Sequence, residues 1–228
     1  MYNVRLTLAD DSGQFALSMK EYYGLLRPEI IAMIPEKCFF VLDVGCGTGE
    51  LGRHLKEKGV TEVCGIELSH TAAIEAARVL DRVIEGNVER IMFPFSPEYF
   101  DCIVCADVLE HLIDPWTIML KLYALLKPGG CIVASIPNVG FHRVVRGLIR
   151  GKWRYTDAGV LDKSHLRFFT WQGIRALFQD SGLTIEKVHR KIDSGLNMKL
   201  LNFILCNRIK EALVIQYIVR ARKSAKIA

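Results

Sequence analysis

Val41-Leu42-Asp43-Val44-Gly45-Cys46-Gly47-Thr48-Gly49 decides the reading of this chain. An apolar run leads straight into three glycines at alternate positions. Glycine has no Cβ and tolerates positive φ, so such a loop lets a ligand lie against bare backbone. In open α/β sheets, ligands bind where the carboxyl end of a strand turns into a helix. Asp43 narrows the ligand's chemistry. A carboxylate near the end of an apolar strand is costly to bury without a partner. It would repel a pyrophosphate and suit an ammonium group. Gly47-Thr48-Gly49-Glu50-Leu51-Gly52 also fits the dinucleotide pattern G-x-G-x-x-G. In that pattern the first glycine follows the strand directly. Here Gly45 does, so the register is off and a nicotinamide or flavin reading is the weaker one.

Working outward, strands and helices alternate from residue 38 onward. Strands are predicted over 39–44, 62–67, 82–85, 100–106 and 131–136. The run over 100–106 is continuously apolar, as expected of a strand with both faces covered. Helices are predicted over 50–58, over 71–80 behind the N-cap Ser69, and after Asp114-Pro115. Lys127-Pro128-Gly129-Gly130 closes that last helix. Thr170 caps a helix over 171–180, and a strand follows over 183–191. Residues 197–212 read as helical and 213–222 as a last strand. Such alternation implies right-handed βαβ crossovers and a parallel sheet. Residues 1–37 begin polar and then turn helical between Pro28 and Pro35. They form an N-terminal flap, over the ligand or over a sheet edge, before a domain spanning 38–228. Residues 139–170 break the alternation and read as a cap insertion.

The composition fits one domain of 228 residues with a full core. No leader is visible in residues 1–17, and no apolar run is long enough to span a membrane. The expected compartment is the cytoplasm, with a peripheral membrane face as the alternative. Seven cysteines suggest no disulfide framework. Cys102 and Cys105 form a CxxC, but on a strand they would face opposite sides. They read as buried thiols, and no metal ligands are expected. A net charge of +5 permits an acidic partner without demanding one.

The stretch over 41–49 resembles the first motif of class I S-adenosylmethionine-dependent methyltransferases. Four further segments follow in that family's order, and the resemblance covers roughly residues 22–190. Gly65-Ile66-Glu67-Leu68-Ser69 resembles the second motif. Gly86-Asn87-Val88-Glu89 resembles the adenine-binding turn. The run from Phe100 to His111, ending Leu109-Glu110-His111, resembles the fourth motif. Leu126-Lys127-Pro128-Gly129-Gly130 resembles a structural segment. The resemblance implies a doubly wound, Rossmann-like sheet of seven strands, mostly parallel with an antiparallel last strand, and a small helical cap. It implies S-adenosylmethionine as cofactor. The loop residues Asp43, Gly45, Cys46, Gly47 and Gly49 would hold it. Glu67 would accept from both ribose hydroxyls, with Leu68 beside it. Asn87 and Val88 would meet the adenine, and Ala106 and Asp107 would flank the methionine part.

On the acceptor side, His111 and His165 are the candidate catalytic bases, because imidazole titrates near neutral pH. His165 lies in Ser164-His165-Leu166-Arg167-Phe168-Phe169-Thr170. This resembles a "THLRFFT" element of methyltransferases of glycan and quinone-type pathways, where it borders the substrate pocket. Tyr23 in the flap and Arg167 are the expected substrate contacts. Phe168 and Phe169 read as packing. The segment over 141–155 interleaves apolar and basic residues. It suits a solvated cap helix, a peripheral membrane face or an anionic, lipid-linked substrate. No Asp/Asn-Pro-Pro-Tyr/Phe follows the fourth strand, which weakens nucleobase N-methylation. The expected function is methyl transfer to a small-molecule acceptor, on oxygen. The alternatives are an RNA substrate reached through the basic cap, with nucleic acid the less favoured partner, and a non-catalytic cofactor-binding partner protein.

Overall fold

The computed structural model describes residues 27–193, 195, 202–204 and 207–225. Residues 1–26, including Tyr23, and most of 196–206 lie outside the described residues. The strands are β1 (Phe40–Val44), β2 (Glu62–Glu67), β3 (Arg82–Glu85), β4 (Phe100–Ala106), β5 (Leu126–Pro137), β6 (Leu183–Ile192) and β7 (Val214–Lys223). They form one sheet in the order β3-β2-β1-β4-β5-β7-β6. Strands β1 to β5 pair in parallel, and β7 runs antiparallel to both β5 and β6. The helices are α1 (Pro28–Ile31), α2 (Glu50–Glu57), α3 (His70–Ala76), α4 (Pro115–Leu125), α5 (His142–Ile149) and α6 (Trp171–Asp180).

The period of two along each strand sorts the core onto two faces. Leu42, Val44, Ile103 and Cys105 pack with α4 and α6, whereas Val41, Cys102, Val104 and Val133 pack with Ile30 and Met33 near α1. Cys102 and Cys105 therefore lie on opposite faces, and all six described cysteines are buried free thiols. The caps hold as well. Ser69 Oγ accepts from the Ala72 amide, Asp114 Oδ1 from Thr117, and Thr170 Oγ1 from Gly173.

Two elements depart from the sequence expectation. Helix α3 stops at Ala76, four residues early, because the Val79 and Leu80 amides both turn back to the Ala76 carbonyl. That turn tucks Leu80 into space left by glycines. A Cβ on Gly52 would stand 2.2 Å from Leu80 Cδ2, and one on Gly65 2.5 Å from Cys46 Sγ. Gly52 thus serves close helix–strand packing, which accounts for the accidental dinucleotide pattern. Strand β5 starts at Leu126, not after the glycines. Phe100 pairs with Leu126 and Cys102 with Cys131, so residues 127–130 bulge out of the ladder between them. Of the helix expected over 197–212, residues 202–204 are helical and Lys210–Leu213 form a 3-10 turn leading into β7, and residues 197–201, 205 and 206 lie outside the described residues.

Candidate active site

The carboxyl ends of β1, β2 and β3 form the first half of the site. Gly45, Gly47 and Gly49 all have positive φ, at 72°, 55° and 85°. The amides of Gly45 and Cys46 both donate to the Ile66 carbonyl, at 2.8 and 3.1 Å, which pins the loop to β2. A Cβ on Gly45 would approach Val108 Cγ2 to 2.8 Å, so the loop has no room for a side chain there. Glu67 is buried at the end of β2. Its Oε2 accepts the Gly47 amide at 2.8 Å and its Oε1 the Ser69 amide at 2.7 Å. Asp43 is 3% exposed. Burial, reinforced by the charge of Glu67, pushes its carboxyl up to about 7. The Cys46 thiol is also pushed up, by burial first and then by Asp43, and is an inert filler.

Leu68 stands 69% exposed beside this loop, an apolar surface at the strand end. The Gly86 amide donates to the Glu67 carbonyl at 2.8 Å and aligns the third turn. Asn87 Oδ1 accepts the Glu89 amide at 2.8 Å, and Val88 is buried. The described residues therefore bring Asp43, Gly45, Cys46, Gly47, Gly49, Glu67, Leu68, Asn87 and Val88 to one edge of the sheet.

The second half begins where β4 ends. Ala106 is half-buried there, and Asp107 holds a φ of 57°, a costly value for a residue with a Cβ. Hydrogen bonds hold it in place. Its Oδ1 accepts from Ser135 Oγ at 2.7 Å and from Gln216 Nε2 at 2.6 Å. Its Oδ2 is paired with the Arg27 guanidinium. A 3-10 turn, Leu109–His111, follows. Glu110 is 1% exposed, and neither of its carboxylate oxygens has a hydrogen-bond partner among the described residues. Burial foremost, and then the charge of Asp107, raise its carboxyl well above the usual range.

The two histidines meet across this turn, with ring centroids 4.8 Å apart. His111 Nδ1 lies 3.1 Å from the Ser164 carbonyl, and His165 Nδ1 3.1 Å from the Val160 carbonyl. The Leu166 and Arg167 amides both donate to the Glu110 carbonyl, at 2.8 and 2.9 Å. That double bond fixes the returning cap against the turn. Arg167 points elsewhere. Its Nε donates to the Ile113 carbonyl at 3.0 Å and its guanidinium sits 5.8 Å from the Trp116 ring centre. Phe169 is core, and Phe168 packs on Trp153 at 5.2 Å. In the cap, α5 has no buried residue. Leu148 and Ile149 stand exposed near Arg146 and Arg150.

Sequence reasoning did not single out Arg27, Ser135, Gln216 or Asn138, and it treated Glu110 only as part of a motif. Arg27, Ser135 and Gln216 act at Asp107 from remote chain positions, and no local pattern announces that. Asn138 is buried. Its Nδ2 donates to the Glu211 and Val214 carbonyls at 2.9 and 2.8 Å, tying the end of β5 to the start of β7. For Glu110 a signal existed: a carboxylate in an otherwise buried turn directly before a histidine.

A methyltransferase-domain family model matches residues 24–188, most of the chain. This chain belongs to the methyltransferase-domain family. Among curated relatives, a ubiquinone biosynthesis O-methyltransferase of Pseudomonas entomophila is 33% identical over 103 residues, 43% of this chain and 44% of that protein. One from Pseudomonas putida is 33% identical over 163 residues, 65% of this chain and 66% of that protein. The first of these alignments thus spans under half of the relative's length. Among solved structures, an S-adenosylmethionine-dependent methyltransferase of Archaeoglobus fulgidus superposes with a TM-score of 0.63 at 19% identity, covering 90% of this chain and 95% of that one. Another, from Mesorhizobium loti, gives 0.61 at 20% identity, covering 86% and 96%. These likenesses place the methyltransferase-domain chain in the Rossmann-like fold expected from its motifs. Among the described residues, no helix is long and apolar enough to cross a membrane.

Proposed function

We propose that this methyltransferase-domain protein uses S-adenosylmethionine to methylate a hydroxyl oxygen of a small-molecule acceptor. When bound, the cofactor supplies a methyl group already activated on sulfonium. The residues present fit it: a loop of three positive-φ glycines, a buried acid at the end of β2, and Asp43, a buried carboxyl beside a second acid. A cationic ammonium is the partner that relieves Asp43. Glu67 offers two carboxylate oxygens, already aligned by two amides, to ribose hydroxyls. Leu68 and the Asn87-Val88 turn border the base.

The observation that carries the oxygen reading is the pair of histidines that meet beside the turn following β4. A neutral hydroxyl is a weak nucleophile and gains from losing its proton as it reacts. A carbonyl only accepts, so each Nδ1 carries a hydrogen, which in a neutral ring leaves the lone pair on Nε2. Burial, with His111 adding to it, lowers the affinity of His165 for a proton and so favours its neutral form. The O-methyltransferase relatives agree with an oxygen acceptor. Arg167 braces the segment after the turn through the Ile113 carbonyl. The test is turnover with labelled cofactor against a panel of phenolic, sugar and amine acceptors, read by mass spectrometry. O-methylated product supports the reading. Product only on nitrogen overturns it.

A further inference from the structure

We infer that the outer face of α4 is a contact between two copies of this chain, packed antiparallel about a two-fold axis near Thr117. The inference goes beyond the methyl-transfer reading and does not depend on it.

Three observations carry it. First, α4 is apolar on both sides. Its eleven residues hold a single charge, Lys121. Ile118, Met119, Leu122 and Leu125 are buried in the core. Yet Trp116 and Leu120 stand 44% and 53% exposed, and Ile113, just before the helix, 61%. With Ala124 they form a stripe at spacings of three and four, the pattern of a helix face that packs. Helix α2 shows what a solvated face looks like in the same protein. Its exposed Arg53 pairs with Glu50 and Glu57 along the helix. Second, a hollow of about 350 Å³ flanks the far end of the stripe. Ile91, Met92, Phe93, Lys121 and Ala124 line it. Uncovered apolar side chains beside an uncovered apolar hollow mark an interaction surface.

Third, the face is complementary to itself, as an isologous contact requires. Two α4 helices set antiparallel around residue 118 bring Trp116 of one copy opposite Leu120 of the other. They bring Asp114 opposite Lys121, a carboxylate opposite an ammonium. They bring Ile113 opposite Ala124, where the hollow has room for it. The three pairings agree on the axis to within one residue, about 1.5 Å of helix. Charge also selects the occupant. One anion and one cation at mirrored places suit a second copy of the same face. An anionic bilayer would instead meet the carboxylates of Asp114 and of Glu89, whose Oε1 accepts the Asp114 amide at 2.8 Å. The contact would begin two residues beyond His111. It would lie against the segment that Arg167 braces through the Ile113 carbonyl and the Trp116 ring.

The test is light scattering coupled to size exclusion, on the full-length protein at micromolar concentration. We expect twice the mass of one chain. Leu120→Glu should raise the dissociation constant about thirtyfold or more, the loss typical of a central anchor. Lys121→Glu sets like charges opposite Asp114 and should raise it at least about tenfold. Circular dichroism should be unchanged in both. Leu148→Glu, at a similarly exposed apolar position on α5, should leave the mass doubled. Thr117→Cys, beside the axis, should cross-link to its own copy under mild oxidation, and Leu148→Cys should not. Should Leu120→Glu fail to fold, the Thr117→Cys cross-link decides alone. A single-chain mass for the parent protein overturns the inference. If that monomer floats with phosphatidylcholine vesicles and Leu120→Glu does not, the face belongs to a bilayer instead. A doubled mass that a folded Leu120→Glu protein keeps, or that leaves Thr117→Cys uncross-linked, overturns it too, since the copies would then meet elsewhere.

Discussion

The two halves of the site sit side by side on one sheet edge and are built by opposite means. The half at β1–β3 is made of residues close in sequence, and its geometry comes from backbone: glycines at positive φ, amides on carbonyls, an acid at a strand end. The half at β4 is made of side chains from five separate segments, meeting at Asp107 and Glu110. A loop of the first kind serves whatever shares its ligand's common part. A cluster of the second kind can be changed residue by residue. The contrast teaches where this chain keeps its generality and where it keeps its specificity. It also predicts that damage to one half should leave the other working.

The largest effect should come from the histidines. Replacing His165 with Gln should lower kcat by about 10² to 10⁴-fold, the usual contribution of a positioned acid–base group. The dissociation constant for S-adenosylmethionine should not move. A matching loss of cofactor affinity would merge the two halves and break the comparison. Next, Glu67→Ala should weaken cofactor binding by about 10²-fold, as expected when two hydrogen bonds to a charged group are lost, while acceptor binding at the second half persists.

These two residues show what the sequence could and could not reveal. Glu67 was legible because strand, spacing and acid all fall within one local pattern. So were the strands and most of the helices, since hydrophobic period and cap residues are local too, whereas the antiparallel last strand came from the motif resemblance and the strand order only from the structure. His165 was legible as a residue but not as a neighbour of Glu110, because that contact depends on how the cap returns to the sheet. The Arg27–Asp107 pair was invisible for the same reason. The early end of α3 followed from Leu80 filling a glycine-lined gap, a tertiary demand that no helix propensity encodes.

A smaller effect concerns pH. With its carboxyl pushed up to about 7, Asp43 is largely protonated in the free protein below that value. An ammonium ligand needs the carboxylate, so cofactor affinity should fall by about tenfold per unit below pH 7 and level off above it. Stability should run the other way. The folded protein holds this proton more tightly than the unfolded chain, whose value is 3.8, so the group's contribution to stability declines as pH rises from there through about 7. Asp43→Asn should flatten both profiles, read by calorimetry and by thermal melts across pH.

Arg27→Met should cost about 1 kcal/mol, because it leaves Asp107 without its cation at a partly exposed site. A drop of a few degrees in melting temperature checks it. The smallest effect belongs to the cap. Ile149→Ser on the exposed face of α5 should change stability by less than about 0.5 kcal/mol and leave cofactor affinity unmoved. A larger loss of stability in denaturant melts would mean that this face is covered.

Calorimetric titration with S-adenosylmethionine, with NAD as control and Glu67→Ala as reference, tests the central claim most directly. We predict one site for S-adenosylmethionine, none for NAD, and loss of the signal in the variant. Binding of NAD, or equal binding of S-adenosylmethionine to a folded Glu67→Ala protein, would contradict it.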